Sequence, residues 1–289
     1  MNFLSESISD LVKSYNQTMD LFQEDPVNSF LPIFFGFILL EFLIQYKLKK
    51  NYYAFKDSFV SLFLFGLTTI TLMFWKFFFF HIFYYIYQNH SLFHWNRSLP
   101  YFLLLFLMDD FSFYWAHRAM HRVRFFWAAH VVHHSSEYMN FGSALRQSIW
   151  EDLVKNIFWL WIPFLGFHPL TMMIATNLNL TYQFFLHTNL IKKLGFIENI
   201  FNTPSHHRVH HGSNQIYIDK NFAGVLIIWD KLFGSFQEET EKVKYGITER
   251  IGSYNPFVVL NWEYRKILSF FKLRKPFLEK WNYLWNPPG

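Results

Sequence analysis

The sequence predicts an all-α fold, a polytopic membrane helical bundle, and three observations predict it. Apolar residues gather in blocks close to membrane length, Phe alone fills 39 positions, and charged residues make up only 16% of the chain. Lys and Arg cluster in some of the loops between those blocks and spare others. Histidines, 14 in all, recur mostly at helical spacing in the polar stretches that separate the blocks. Mean hydropathy is only slightly positive because the polar stretches offset the apolar ones, and it is in them that chemistry is expected. The absence of Cys excludes a disulfide framework and a thiolate metal site, so any metal must be held by nitrogen or oxygen. A net charge of +5 is compatible with nucleic acid, but the basic residues sit beside apolar spans and form no continuous stripe, so none is expected; anionic lipid headgroups are the better counter-charge.

The stretch from Met1 to Asn28 is polar and mildly acidic and lacks the basic start, apolar core and cleavage site of a signal peptide, which leaves insertion to internal segments. The first apolar block, Phe30 to Ile44, carries Glu41 and ends in a basic loop with Lys47, Lys49, Lys50 and Lys56. A crossing needs roughly 20 residues, so its helix is expected to begin near Val27 and to end among side chains that can snorkel. The second block, Phe59 to Tyr87, exceeds the bilayer thickness and holds Lys76 and His81 in its later part, which predicts a tilt or an interfacial extension. The third, Leu99 to Trp115, starts at Pro100 and carries Asp109 and Asp110, and acids inside a span mark function by default. After a polar region from His117 to Asp152, the stretches Leu153 to Phe167 and Pro169 to Leu186 read as a helical hairpin turning between Gly166 and Pro169. Each arm is near the lower length limit, so both a full crossing and a dip into the bilayer are open.

Basic loops lie inside. The Lys47 to Lys56 loop is strongly basic, the Gln88 to Ser98 loop carries only Arg97, and the later polar segments carry Arg118, Arg122, Arg124, Arg146, Lys192 and Lys193. Counting crossings from an outside N-terminus places His117 to His134, His187 and His206 to His211 on the cytoplasmic face. Three regions are expected: 1–98 with two membrane helices, 99–240 as the catalytic domain, and 241–289 as a cytosolic tail packing against it.

His117 and His121 stand at i and i+4 and share a helix face. His130, His133 and His134 stand at i, i+3 and i+4, and His207, His210 and His211 repeat that spacing. His187 is single and ends an apolar helix, with Gln183 one turn earlier as a residue that can orient a ligand from behind. Helices that aim several imidazoles at one point build metal sites inside bundles, and these nine candidates exceed what one ion can use. Two metals are the economical reading, which makes this a histidine-rich di-metal domain on the cytosolic face. Imidazole suits iron, copper, zinc and nickel alike, so ligand type does not name the metal. His206 must point away from its neighbour His207, and His81, His90, His94 and His168 read as interfacial or hydrogen-bonded histidines. Asp110 lies two turns before His117 and is expected to accept an imidazole N–H. Asn140 and Arg146 follow the second cluster and are expected to meet a lipid headgroup or a cofactor.

Taken together, Asp110-Phe-Ser-Phe-Tyr-Trp-Ala-His-Arg, His117-x-x-x-His121, His130-x-x-His133-His134, the Gln183 to His187 segment and His207-x-x-His210-His211 resemble the fatty acid hydroxylase/sterol desaturase superfamily. The likeness covers roughly residues 100–240. Three longer stretches, Ser135 to Ser148, Asn202 to Gly212 and Ile218 to Gly234, resemble its ether-lipid-cleaving branch. The resemblance implies two irons, molecular oxygen and a lipid substrate. For that branch it also implies tetrahydropterin as the electron donor and cleavage of the ether bond of alkylglycerols. Rival readings are a hydroxylase or desaturase of a sterol, fatty acyl chain or carotenoid, a His-rich metal transporter, and a zinc-bound structural protein.

Overall fold

The computed structural model describes residues 26–288, so the polar N-terminal segment read from the sequence lies largely outside the described residues. Within them the fold is all-helical. No strand forms, and extended pairing is confined to two isolated bridges, Phe201 to Leu226 and Gly212 to Tyr245.

Helix α1 spans Pro26–Lys47 and α2 spans Phe55–His90. With 36 residues α2 is about 54 Å long at ~1.5 Å per residue, well beyond the ~30 Å apolar thickness of a bilayer. Among the described residues it is the one helix long and apolar enough to cross a membrane. Both helices turn large apolar side chains outward, including Leu39, Leu40, Leu43, Phe55, Ile70 and Phe74. An outer surface of this kind is costly in water and neutral in lipid.

Helix α3 (Leu99–Arg122) and helix α4 (Arg124–His134) meet at Val123, whose extended backbone breaks the helix while its N–H still bonds the Ala119 carbonyl. That corner folds the end of α3 back on α4, so the two histidine-bearing faces confront each other. Short helices α5 (Phe141–Ala144), α6 (Glu151–Lys155) and α7 (Trp161–Phe164) follow, then α8 (Pro169–Phe184), α9 (Pro204–His210), α10 (Ile228–Leu232), α11 (Pro256–Leu260), α12 (Trp262–Lys272) and α13 (Phe277–Trp285).

The first arm of the expected hairpin is not one helix. It is broken into α6, a 3-10 turn at Asn156–Trp159 and α7, and Gly166 makes the reversal at φ +86°. A Cβ at Gly166 would stand 1.8 Å from the Phe93 carbonyl oxygen, so the close approach requires glycine as much as the backbone angle does. The second arm, α8, has 16 residues and reaches about 24 Å, short of a full crossing.

Three apolar clusters hold the elements that carry the polar centre. Phe79, Tyr101, Phe113, Trp159, Phe167 and Met172 join α2, α3 and the broken hairpin. Val60 and Leu64 of α2 pack on Val131 and Val132 of α4 and on Val259 and Leu260 of α11. Phe34, Phe141, Leu145 and Phe184 bring α1, α5 and α8 together. At the back of α4, Arg124 forms a buried ion pair with Glu263 at 2.6 Å, donates to the Pro288 carbonyl and lies over the Tyr283 ring, which pins the C-terminal helices against α4.

Candidate metal centre

All nine candidate histidines, eight marked by spacing and the single His187, converge, and they divide into two groups. His117, His121, His130, His134 and His210 form one; His133, His187, His207 and His211 form the other. Every residue in each group is buried, and within a group one ring nitrogen from each lies within 4.8 Å of all the others.

The contacts between rings have the dimensions of a coordination shell. In the first group His117 Nε2 and His134 Nε2 lie 3.0 and 3.2 Å from His130 Nε2. In the second, His187 Nε2 is 3.1 Å from His133 Nε2 and 3.0 Å from His207 Nε2, and His207 Nε2 is 3.1 Å from His211 Nε2. Two ligands at about 2.1 Å from a metal and at right angles to each other stand about 3 Å apart.

Protons alone do not satisfy these contacts. The Nδ1 atoms of His117, His133, His187 and His210 face the backbone carbonyls of Phe222, Arg146, Gln183 and Lys220 at 2.9, 3.2, 2.9 and 3.0 Å. A carbonyl oxygen only accepts, so Nδ1 carries the hydrogen and Nε2 presents its lone pair. His187 Nε2 thus offers one lone pair to two neighbouring rings, and His210 Nε2 and His121 Nε2 have no partner at all. A cation at each focus takes all of these lone pairs at once. The all-nitrogen donor set and the carbonyl contacts behind it fit imidazole ligation of a divalent transition metal.

The rings are also held neutral. Burial drives the imidazoles of His130, His134, His207, His210 and His211 well below the usual histidine range, and repulsion from neighbouring rings adds to it. Burial brings His133 down to about 4, and burial with the neighbouring His133 brings His187 down to about 3. Neutral imidazole is the form that ligates.

Around this centre several expectations are corrected. Asp110 touches no imidazole. Its carboxylate accepts from the backbone N–H of Val225 and Leu226 at 2.7 and 2.9 Å, and from Trp229 Nε1 and Asn179 Nδ2 at 2.9 and 3.2 Å. It therefore anchors the loop whose Phe222 carbonyl receives His117. Asp109 likewise ties α3 to the hairpin through Trp159, Thr176 and Asn179. Gln183 does orient His187, through its backbone carbonyl, while its side chain donates to Asn179. Asn140 caps α5 and Arg146 is buried against Asp57 at 2.7 Å; neither reaches the cavity described below, because each is consumed by a structural contact. His206 lies outside both groups and packs on Phe236.

Three residues without a spacing signal also bear on the centre, and of these only Glu41 stands out in the sequence, as an acid in the first apolar block. Gln147 Nε2 stands 3.2 Å from His133 Nδ1, and Glu151 Oε2 stands 3.5 Å from His130 Nδ1, at the far limit of a hydrogen bond. Glu41, buried in α1, accepts from Tyr53 at 2.6 Å, from the Phe141 N–H at 2.7 Å and from the hydroxyl of Thr188, next to His187. A residue from one of the outermost helices thereby steadies a histidine loop.

A cavity of about 260 Å³ leads to the rings of His117, His130, His133, His187 and His207. Its lining includes apolar residues of α1, α2 and α8, among them Phe34, Phe65, Leu72, Leu180 and Phe184, and polar ones, among them Gln147, Ser148, Glu151, Asp152 and Lys155.

Comparison with known proteins agrees with this architecture. Residues 102–235 match the family model described as fatty acid hydroxylase. The chain is 39% identical to human alkylglycerol monooxygenase over 92% of its own length and 60% of the relative's. It is 38% identical to the Danio rerio alkylglycerol monooxygenase over 91% of its length and 59% of the relative's. An ornithine lipid hydroxylase of Rhizobium tropici is 27% identical over half of the chain. The chain thus spans about 60% of the length of the alkylglycerol monooxygenases from human and Danio rerio. No solved structure matches it.

Proposed function

Because residues 102–235 match the fatty acid hydroxylase family model, we propose that this protein is a membrane-embedded di-iron monooxygenase that cleaves the ether bond of alkylglycerols. The observation that carries the reading is the meeting of an apolar cavity with two groups of buried, neutral imidazoles whose lone pairs point at common foci. The likeness to alkylglycerol monooxygenases favours an ether lipid as the substrate. The resemblance in the histidine motifs favours iron and, as electron donor, tetrahydropterin.

His117, His121, His130, His134 and His210 would hold one iron, and His133, His187, His207 and His211 the other. A pair of irons so held supplies reduction of O2 and insertion of one oxygen atom into an unactivated C–H bond. The protein's own part is to fix the rings through carbonyl contacts, to admit an alkyl chain along Phe34, Phe65 and Phe184, and to keep water from the reacting carbon. One atom of O2 enters the carbon beside the ether oxygen, and the other leaves as water with two electrons and two protons from the donor. The resulting hemiacetal collapses to a fatty aldehyde and glycerol. The outward apolar faces of α1 and α2 and the basic loop between them fit a multi-pass membrane protein whose active site faces the cytoplasm.

The test uses the full chain in lipid nanodiscs with 1-O-hexadecylglycerol, reduced pterin and 18O2, and traps the product at once with borohydride. The expected product is hexadecanol carrying 18O, formed only in the presence of both oxygen and reductant. Label recovered in glycerol, or turnover without oxygen, contradicts the proposal. Hydroxylation or desaturation within the chain, with the ether intact, moves the protein to another chemistry of the same superfamily.

A further inference from the structure

We propose that the C-terminal helix pair makes a second contact with the membrane, in which the aromatic ridge of α13 lies among anionic lipid headgroups. The proposal rests on the membrane-embedded reading and is independent of the chemistry at the metal centre. At ~100° per residue, Phe277, Leu278, Trp281 and Trp285 fall on one face of α13. They are 78%, 67%, 48% and 42% exposed, so no described segment covers them, and an apolar surface of this kind marks an interaction site. Ring contacts join Phe277 to Trp281 and Trp281 to Trp285. The other side of α13 is used inside the molecule: the Tyr283 ring stacks on Phe270 of α12 at 3.8 Å and lies under Arg124 of α4.

Charge indicates what covers the ridge. The turn between α12 and α13 carries Lys272, Arg274 and Lys275, all exposed, and Lys280 flanks the ridge with its ammonium over the Phe271 ring. The one acid between positions 264 and 285 is Glu279, and Lys275 pairs with it at 2.7 Å. An apolar ridge rimmed by cations fits a bilayer surface of negative charge, where aromatic rings settle at headgroup level and Lys and Arg reach the phosphates.

Position agrees. Trp285 packs on Phe125 and Phe126 of α4, with ring centres 6.0 and 6.2 Å apart, and Phe126 packs on Phe158 at 6.0 Å. Phe158 belongs to the first arm of the hairpin, where Ile157 and Trp161 are themselves exposed. The ridge therefore continues the apolar surface that faces lipid in the membrane-embedded reading. Docked there, the helix pair carries a membrane contact to α4 through Arg124, Glu263 and Tyr283, and α4 bears His130, His133 and His134.

The chain has no cysteine, so single introduced ones report position. Leu278→Cys on the ridge, Glu279→Cys on the other side of α13 and Ile70→Cys on the outward face of α2 each receive a fluorophore, and the nitroxide quencher is carried by the lipid acyl chains. The full chain is placed in nanodiscs of phosphatidylcholine, with or without phosphatidylglycerol. Ile70→Cys is expected to be quenched in both bilayers, Leu278→Cys strongly only with phosphatidylglycerol, and Glu279→Cys in neither. Each cation near an anionic surface strengthens adsorption about fivefold, so changing Lys272, Arg274 and Lys275 together to Gln lowers the docked-to-undocked ratio by about a hundredfold. Those side chains are exposed, and metal content should not change. Equal quenching of Leu278→Cys and Glu279→Cys overturns the proposal, as does quenching of Leu278→Cys that is the same in both bilayers or survives the triple substitution. A Leu278→Cys label that neither the lipid nitroxide nor aqueous iodide reaches also overturns it, and points to protein as the cover. If Ile70→Cys is not quenched, the membrane-embedded reading fails and this proposal with it. If Leu278→Cys behaves as expected and no lipid is oxidised, the oxygenase reading alone fails.

Discussion

His133→Ala is expected to abolish one of the two metals and to cut lipid oxidation about a hundredfold or more. Disturbing a residue behind a ligand already costs about 10- to 100-fold in affinity or activity, so loss of a ligand costs no less. The effect should be largest in this group because it has only four imidazoles, His133, His187, His207 and His211. Three remain after the substitution, and the His187 ring loses a neighbour at 3.1 Å. The other group has five members, so a single loss such as His121→Ala leaves four and retains more metal. His206→Ala is the control: it is also a buried histidine, adjacent to a group member, yet outside both groups, and it should keep full metal content. Metal analysis of the purified variants together with product formation checks all three. Equal retention of metal in His133→Ala and His206→Ala contradicts the assignment of ligands.

Asp110→Ala is expected to cost about 3 kcal/mol or more of stability. Asp110 is fully buried and accepts from two backbone N–H groups, an indole and an amide. Alanine leaves the two backbone N–H groups and the indole without a partner, at about 1–3 kcal/mol for each buried group, while Asn179 keeps Asp109. Against a net stability of about 5–15 kcal/mol this is a large share. The neighbourhood offers little relief: a Cβ at Gly224 would already stand 2.9 Å from Asp110 Oδ1 and 2.6 Å from Asn179 Oδ1, so the loop is seated tightly on the carboxylate. Because that loop also presents the Phe222 carbonyl to His117, the variant should lose metal from the five-histidine group as it loosens. Denaturant or thermal unfolding of the metal-free protein isolates the structural effect. A change below about 0.5 kcal/mol, the scale of an ordinary surface substitution, contradicts it.

The histidines were legible because helical spacing places i, i+3 and i+4 on one face whatever the tertiary fold does. Their division was not. His133 joins His187, His207 and His211, while its neighbours His130 and His134 join His117, His121 and His210. That partition crosses four chain segments and depends on the corner at Val123, which spacing alone does not specify. The seven-residue interval from Asp110 to His117 correctly put both on one side of α3, but a side of a helix can meet more than one partner. Here the upper turn meets the loop at residues 225–226 and the lower turn meets the rings.

Arg146 illustrates a different limit. A cation beside a metal cluster reads as a headgroup contact, and only the fold shows that Asp57, 89 residues earlier, claims it. Gln147 and Glu151 lie in the same stretch without any spacing to mark them, and their relation to His133 and His130 is purely tertiary. The apolar run from Leu153 to Phe167 looked continuous because hydropathy does not register a 3-10 turn, a proline at position 163 or the reversal at Gly166.

The central claim is that two irons are held by nine imidazoles. The most direct measurement is iron content and Mössbauer spectroscopy of the full chain, purified anaerobically from cells grown on iron-57. About two irons per chain, in environments dominated by nitrogen ligands, is the predicted result. Iron-free protein, or protein that fills both positions with zinc and turns over no lipid when iron is supplied, would contradict it.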